Sequence, residues 1–186
     1  MKLGTRWTLT ASLCIGSFAS AALAQTSEPR PGKRDPDISA TDNQFIKEAA
    51  AAGMAEVELG QLAVAKASRP EVKRFGQMMV ADHGKANAEL KRLAAKKTVT
   101  LPTEPKAEHE AEKERLSKLS GKAFDDAFIK RMTTDHAQAI DLFSHQAMEG
   151  NDADAKAWAA KRLPVIRRHA SRIKEITEKT PADTQP

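Results

Sequence analysis

The chain has 186 residues, with 30 Lys and Arg against 25 Asp and Glu and a net charge of +5. This length suits one ordinary domain. Basic residues are interspersed with acidic ones, which argues against nucleic acid as a partner. The single cysteine, Cys14, excludes a disulfide within the chain.

Residues 1–24 have the features of a secretory signal peptide. Lys2 and Arg6 give a positive start, residues 7–19 are largely apolar, and residues 22–24 form an A-x-A cleavage pattern. The apolar run is short and rich in Ser and Thr for a membrane span. Without a twin-Arg pair there, we predict export to the periplasm by the general secretory route, with envelope association open. A retained N-terminal anchor is the alternative.

The segments on either side of the predicted domain have a different composition. Residues 25–40 hold three prolines and a glycine among charges, and they predict a flexible linker. Residues 179–186 predict a similar disordered tail. No segment after the signal peptide is long and apolar enough to cross a membrane, and cleavage removes the cysteine. The mature fold must therefore rest on packing alone, or on packing and a ligand.

Four long helical patterns and one short one follow the linker, without a convincing strand. The predicted bundle covers residues 41–178, with helices at about 42–66, 69–97, 107–118, 122–149 and 153–178. Thr41 with Gln44 and Ser68 with Glu71 are candidate capping boxes for the first two helices. Pro164 predicts a kink in the last helix, because it removes a backbone hydrogen bond.

The connection between the second and third long helices is compatible with two topologies. It is either a plain return with a short surface helix or a crossover along the bundle, as in ferritin-like folds. The second helix should be about 42 Å long at 1.5 Å per residue, which the connection can just span. The sequence does not decide between them.

A weak repeat relates the second and third long helices. Phe75-x3-Met79-x2-Asp82-His83 matches Phe128-x3-Met132-x2-Asp135-His136. In each copy the Phe, Met and His side chains share one helix face. Either two core helices reached similar packing, or the motif descends from an ancestral duplication.

Each long helix carries a polar residue within its apolar face when placed on a wheel of 100° per residue. These residues are Glu56, His83, His136 and His169, with Asp135 and Arg162 at the border. All lie near the middle of their helices, where helices of a bundle meet whether they run parallel or antiparallel. The pattern therefore predicts one polar cluster at the waist of the bundle.

Such a cluster has three interpretations. The first is a structural network in which Glu56 and Asp135 accept hydrogen bonds, because buried charges must be paired. The second is a transition-metal site for Zn, Cu, Fe or Ni, with Glu56, His83, His136 and His169 as ligands and Asp135 at its border. In the third, the helix rotations differ and the groups never meet. His109 and His145 are predicted to be surface residues.

Residues 43–176 resemble a bacterial family of exported ferritin-like proteins catalogued as domain of unknown function 4142. The matching pieces are Ala55 to Gly60, Met79 to His83, Thr100-Leu101-Pro102, Leu119 to Asp125, Asp135-His136, and Leu163-Pro164 with His169. The resemblance implies an all-α, ferritin-like four-helix bundle with one extra short helix in the connection between the second and third long helices. It also implies export and no settled biochemical activity.

The chain departs from di-iron ferritins at the waist. Those proteins use Glu from two helices and Glu-x-x-His from two others. Here Asp-His stands on two helices, and only Glu56 and Asp135 are candidate buried acids. The resemblance therefore does not carry ferroxidase or iron-storage activity with it.

We expect a non-enzymatic periplasmic bundle that acts as a binding or envelope stress-related module, with a mononuclear metal site at its waist. One alternative is a metal-dependent redox enzyme of ferritin-like descent. The other is a purely structural protein with an envelope partner. No nucleophile motif, phosphate loop or nucleotide fingerprint supports another enzyme class. The protein partner and a homo-oligomeric state stay open.

Overall fold

The structure, a computed structural model, describes residues 38–179. Its helices are α1 Ala40–Lys66, α2 Pro70–Lys96, α3 Ala107–Ser117, α4 Gly121–Glu149 and α5 Ala153–Glu178, and the described residues contain no strand. The predicted bounds are correct to within two residues. The predicted signal peptide, most of the predicted linker and most of the predicted tail lie outside the described residues. Within residues 38–179, no helix has the length and apolar character that a membrane span requires.

The four long helices form a bundle of two hairpins. α1 packs along α2 and α4 along α5, and the hairpins meet through α1 with α4 and α2 with α5. The end of α2 lies beside the start of α5, where Lys97 Nζ is 2.8 Å from an Asp152 carboxylate oxygen. The start of α4 lies beside the α1–α2 turn, where Asp125 accepts from the Arg69 amide at 2.8 Å. The intervening connection therefore crosses the length of the bundle, as in ferritin-like folds.

The short helix α3 lies within this crossover and packs against α1 and α4. Lys113 of α3 forms an ion pair with Glu58 of α1 at 2.8 Å. Leu116 of α3 is fully buried in the core. The crossover is thus part of the packed domain and covers one side of the bundle.

The N-terminal caps of α1 and α2 differ from the predicted capping boxes. The N-cap of α1 is Ser39 rather than Thr41, and its hydroxyl accepts from the Asp42 amide at 3.1 Å. The N-cap of α2 is Arg69, which makes no side-chain cap hydrogen bond, and Pro70 fills the first turn. Ser68 instead donates to Asp125 of α4. Both capping-box predictions were wrong, the second because a tertiary acceptor competes for the serine hydroxyl.

Two buried aspartates join each hairpin to the turn of the other. Asp42 of α1 accepts from the backbone amides of Asn151 and Asp152, at 3.2 and 2.9 Å, in the α4–α5 turn. Asp125 of α4 accepts from the backbone amides of the α1–α2 turn. Burial raises the pKa of Asp42, but its hydrogen bonds outweigh this and hold the pKa below its usual value. These carboxylates fix the register of the two hairpins.

The apolar core is divided into two clusters by a polar layer. The cluster near the α1–α2 turn includes Leu59, Phe75, Met79, Phe124, Phe128, Met132 and Ile173. The cluster near the α4–α5 turn includes Phe45, Ile46, Leu90, Phe143, Ala159 and Ile166. Between them lies the polar layer predicted at the waist.

The repeated motif lies on two helices that run parallel and face each other across the bundle. The rings of Phe75 and Phe128 have centroids 6.2 Å apart, and those of His83 and His136 are 6.1 Å apart. The motif occupies the second helix of one hairpin and the first helix of the other. A duplicated hairpin would repeat it at the same position in each. The structure thus favours similar packing as the origin of the repeat.

Candidate metal centre

A cavity of about 290 Å³ lies at the waist, between the two core clusters. Its wall is built by all four long helices and by the start of α3. Small residues leave room for it: Ala49, Ala52, Gly53, Ala86 and Ala139 all line it. We call it the waist cavity.

Three histidines come together in its wall, one each from α2, α4 and α5. A ring nitrogen of His83, one of His136 and one of His169 all lie within 4.8 Å of one another. His136 and His169 are buried, at 2% and 1% exposure. This juxtaposition follows from the mid-helix depth and wheel positions of the three residues.

The hydrogen bond of His136 to its own helix selects its tautomer. His136 Nδ1 lies 2.9 Å from the Met132 carbonyl oxygen, one turn earlier in α4. A carbonyl oxygen only accepts, so Nδ1 carries the proton of the neutral ring. Nε2 of His136 therefore presents a lone pair.

Asp82 of α2 selects the tautomer of His169 in the same way. His169 Nε2 lies 2.8 Å from Asp82 Oδ2, and a carboxylate oxygen accepts the ring proton. Nδ1 of neutral His169 therefore presents a lone pair as well. Metal-binding histidines are commonly oriented by such a carboxylate on the distant nitrogen.

These two lone pairs face each other across a short gap. His136 Nε2 and His169 Nδ1 are 3.3 Å apart. With both ring protons committed to other acceptors, no proton remains for a bond between them. Two nitrogen ligands of a tetrahedral ion, each at about 2.0–2.1 Å, would also lie about 3.3 Å apart. The spacing is therefore suited to a shared cation.

Burial keeps the imidazoles neutral. It lowers the pKa of His83 to about 3, with further lowering by His136, His169 and Arg162. It lowers the pKa of His136 to about 4, helped by His169 and opposed by the Met132 hydrogen bond. The pKa of His169 is also lowered by burial, although Asp82 opposes the shift. Neutral imidazole is the form that binds transition metals.

Glu56 lines the same cavity but does not belong to the histidine group. It is 7% exposed, and its Oε2 atom is buried without a hydrogen-bond partner. Burial raises its pKa to about 8; nearby Asp135 adds to the rise and Arg131 opposes it. Glu56 is therefore a neutral carboxylic acid at pH 7.

The two border residues are each bound to a charge outside the cluster. Asp135 accepts from Arg131 Nε at 2.6 Å, one turn earlier in α4. Burial nevertheless raises the pKa of Asp135, with Arg131 opposing. Arg162 forms an ion pair with Glu89 of α2. Both residues line the waist cavity, as their border positions predicted.

Two side chains at the cavity have surroundings that the sequence did not predict. His109 was predicted to be a surface residue, but its side chain is 13% exposed, lines the cavity and has a buried Nδ1 without a partner. The prediction failed because the crossover brings α3 onto the bundle. Asp82 was named only as part of the repeated motif, and its partner His169 lies on another helix. His145 is exposed, as predicted.

The fold and this buried layer define a ferritin-like four-helix bundle with a histidine-rich waist. The model of the family described as domain of unknown function (DUF4142) matches residues 27–176, and the chain belongs to this family. No curated protein matches the sequence.

Two solved structures share the fold at low sequence identity. A DUF305 fragment from Deinococcus radiodurans is 12% identical with a TM-score of 0.69, covering 77% of this chain and 99% of its own. A protein from Streptomyces coelicolor described as "putative secreted protein DUF305" is 13% identical with a TM-score of 0.67, covering 82% and 98%. At these identities the similarity establishes the fold alone.

Proposed function

We propose that this protein is an exported binding module that holds one transition-metal ion between His83, His136 and His169. The observation that carries the proposal is the pair of lone pairs facing each other at 3.3 Å, on His136 Nε2 and His169 Nδ1. A cation between the two nitrogens would offset the repulsion of their lone pairs, and it could be a proton or a metal ion. Burial lowers the pKa of both rings, which disfavours the proton.

The donor set limits the choice of metal. Three neutral imidazoles suit Zn, Cu, Fe or Ni rather than Mg or Ca. Three protein ligands leave at least one coordination position open, and Glu56 lines the same cavity. In this proposal Glu56 is a protonated acid in the cavity wall and does not bind the metal. Asp135 lies at the border of the metal site and does not bind the metal either.

The proposal includes export to the periplasm. It rests on the positive, apolar and A-x-A segments of residues 1–24. The description of the Streptomyces coelicolor protein as secreted supports the export part of this proposal. A binding or stress-related role in the envelope would suit a buried metal held by neutral ligands.

Metal analysis and thermal melts of the purified protein test the site. We expect one equivalent of metal per chain, and a stabilisation of about 2.7 kcal/mol at a free metal concentration of 100 Kd. His136→Leu should abolish this stabilisation, while His145→Leu, on the exposed side of the same helix, should keep it. A wild-type protein that neither contains nor responds to Zn, Cu, Fe or Ni would leave only a structural network.

A metal-dependent redox enzyme is the second candidate function. It is favoured by a cavity of about 290 Å³ that contains both the histidine group and an acid that holds its proton at pH 7. Peroxide-dependent oxidation of an added reductant by the metal-loaded protein, compared with metal-free protein, separates this candidate from a binding module.

A further inference from the structure

The waist cavity contains more unsatisfied polar groups than a metal ion would use. In the described part of the chain, every buried side-chain polar atom that lacks a hydrogen-bond partner belongs to a cavity-lining residue. These residues are Glu56, His83, His109, Trp158 and Arg162. Buried polar groups normally have partners, so a concentration of exceptions in one cavity indicates that water or a ligand fills it.

Two of these groups can only donate hydrogen bonds. They are Trp158 Nε1 and Arg162 Nε, both buried and without an acceptor in the protein. The two residues lie one helical turn apart on the same face of α5. Arg162 is 7% exposed. Because both residues line the cavity, an acceptor inside it is the candidate partner for both donors.

The charges around these donors favour an anion. The Arg162 guanidinium shares the Glu89 carboxylate with Lys161, whose Nζ lies 3.2 Å from Glu89 Oε2. The two cations differ in their surroundings, because the Lys161 side chain is 65% exposed and screened by solvent, whereas Arg162 is buried. The buried Arg162 guanidinium is itself a charged donor, and a charged donor forms its strongest hydrogen bonds with an anionic acceptor.

The acids in the cavity wall do not cancel this preference. Glu56 holds a proton at pH 7, Asp82 Oδ2 lies 3.7 Å from Arg168 Nη2, and Asp135 is bound to Arg131. The other two lining acids, Glu48 and Glu108, are half-buried and exposed respectively, where solvent screens their charge.

Apolar side chains also form part of the cavity wall. Leu142, Phe143 and Ile166 line the cavity together with the Trp158 ring. The volume of about 290 Å³ is near the lower limit of ligand pockets, about 300 Å³, and equals the liquid volume of about ten waters. The cavity is therefore large enough for a small organic molecule with an apolar body.

We infer that the waist cavity binds a small organic monocarboxylate with an apolar body. The carboxylate accepts from Trp158 Nε1 and Arg162 Nε, and the apolar body contacts Leu142, Phe143 and Ile166. The inference goes beyond the proposed metal site and does not depend on it, because neither donor belongs to the histidine group.

Calorimetric titration of the full chain, freed of metal with a chelator, tests the ligand class with three probes. Benzoate combines the charge with an apolar ring, benzamide replaces the carboxylate by a neutral amide, and acetate lacks the ring. We expect benzoate to bind at least tenfold more tightly than either of the others. Absence of benzoate binding, or equal affinity for benzamide, would overturn the inference. Working without metal keeps this result separate from the test of the metal site.

Matched variants locate the carboxylate. Trp158→Phe keeps an aromatic ring but removes the N–H donor, and it should weaken benzoate binding about tenfold, the effect of losing one hydrogen bond to a charged group. Benzamide binding should change less. Arg162→Gln should weaken benzoate further, while Arg167→Gln, exposed on the same helix, should not. If Arg162→Gln fails to fold, Trp158→Phe decides alone, and unchanged benzoate affinity in that variant contradicts the assignment.

Discussion

The two Asp-His pairs of this protein have the same sequence and different surroundings. On α2, Asp82 turns to His169 of α5 and fixes its tautomer, while His83 Nε2 is buried without a partner. On α4, Asp135 turns to Arg131 of its own helix, while His136 donates to a backbone carbonyl. The histidines of both pairs line the same cavity, but only Asp82 forms a hydrogen bond to one of the three clustered histidines.

The difference shows that a shared motif specifies a helix face but not a role. Both pairs lie on parallel helices at the same level of the bundle, so both histidines point towards its centre. The neighbours of the aspartates differ, since α5 offers a histidine to Asp82 whereas α1 brings a second acid, Glu56, near Asp135. Burial beside Asp135 keeps the Glu56 carboxyl group protonated at pH 7, whereas Asp82 lies beside His169.

The largest expected effect concerns that protonated acid. The folded protein holds the Glu56 proton up to a pKa of about 8, while the unfolded chain loses it near 4.5. The stability that Glu56 contributes is therefore complete below pH 4.5 and is lost as the pH rises to 8, about 4 kcal/mol by pH 9. Glu56→Gln should remove this loss, measured by urea unfolding of metal-free protein at pH 5 and pH 9.

Glu58→Gln is the matched control for that prediction. Glu58 lies on the same helix and pairs with Lys113. Its replacement should leave the difference in unfolding free energy between pH 5 and pH 9 within about 1 kcal/mol of wild type, as for exposed ion pairs. An equal response of the two variants would show that Glu56 is ionised in the folded protein.

His83, the histidine of α2 whose Nε2 has no partner, should lower the stability of the folded protein at acidic pH. The pKa of His83 is about 3 in the folded protein against 6.5 for a free side chain. The unfolded chain binds a proton as the pH falls below 6.5 and the folded chain does not, so stability falls, by about 3 kcal/mol at pH 4. In metal-free His83→Leu, the difference in unfolding free energy between pH 7 and pH 4 should shrink by about that amount.

The exposed His145 provides the comparison for this effect. His145→Leu should retain the pH dependence of the wild-type protein, because an exposed ring titrates similarly in folded and unfolded chains. A His83→Leu variant with the wild-type difference between pH 7 and pH 4 would mean that His83 is charged or solvated in the folded state.

The smallest expected effect is on metal affinity, and it distinguishes Asp82 from Asp135. Asp82→Asn removes the carboxylate that orients His169 and should weaken metal binding about 10- to 100-fold, as when other carboxylates that hold a metal-binding histidine are removed. Asp135→Asn should change the metal dissociation constant by less than about threefold, because Asp135 contacts Arg131 rather than a histidine. Competition titrations with a metal-binding dye measure both constants. Equal losses in the two variants would place both aspartates in the metal site.

Much of this structure follows from local patterns. The spacing of apolar residues predicted all five helices, since burial of one face imposes a period of 3.6 residues. The same wheel placed His83, His136 and His169 on inward faces at similar depths. Glu56 was grouped with them because a wheel gives direction and depth but not the distance across a bundle. The structure puts it in the wall of the same cavity, outside the histidine group.

The sequence by itself determined which residues are helical and which side chains of the four long helices face inward, because both depend on neighbours within one or two turns. Only the tertiary structure decided that the connection is a crossover, that Asp42 and Asp125 bind the turns of the opposite hairpins, and that Asp82 orients His169. These contacts join residues on different helices, and no local period encodes them. The packing of the whole bundle decides which acceptor each buried donor binds, because a hydrogen bond needs a partner atom within about 3 Å.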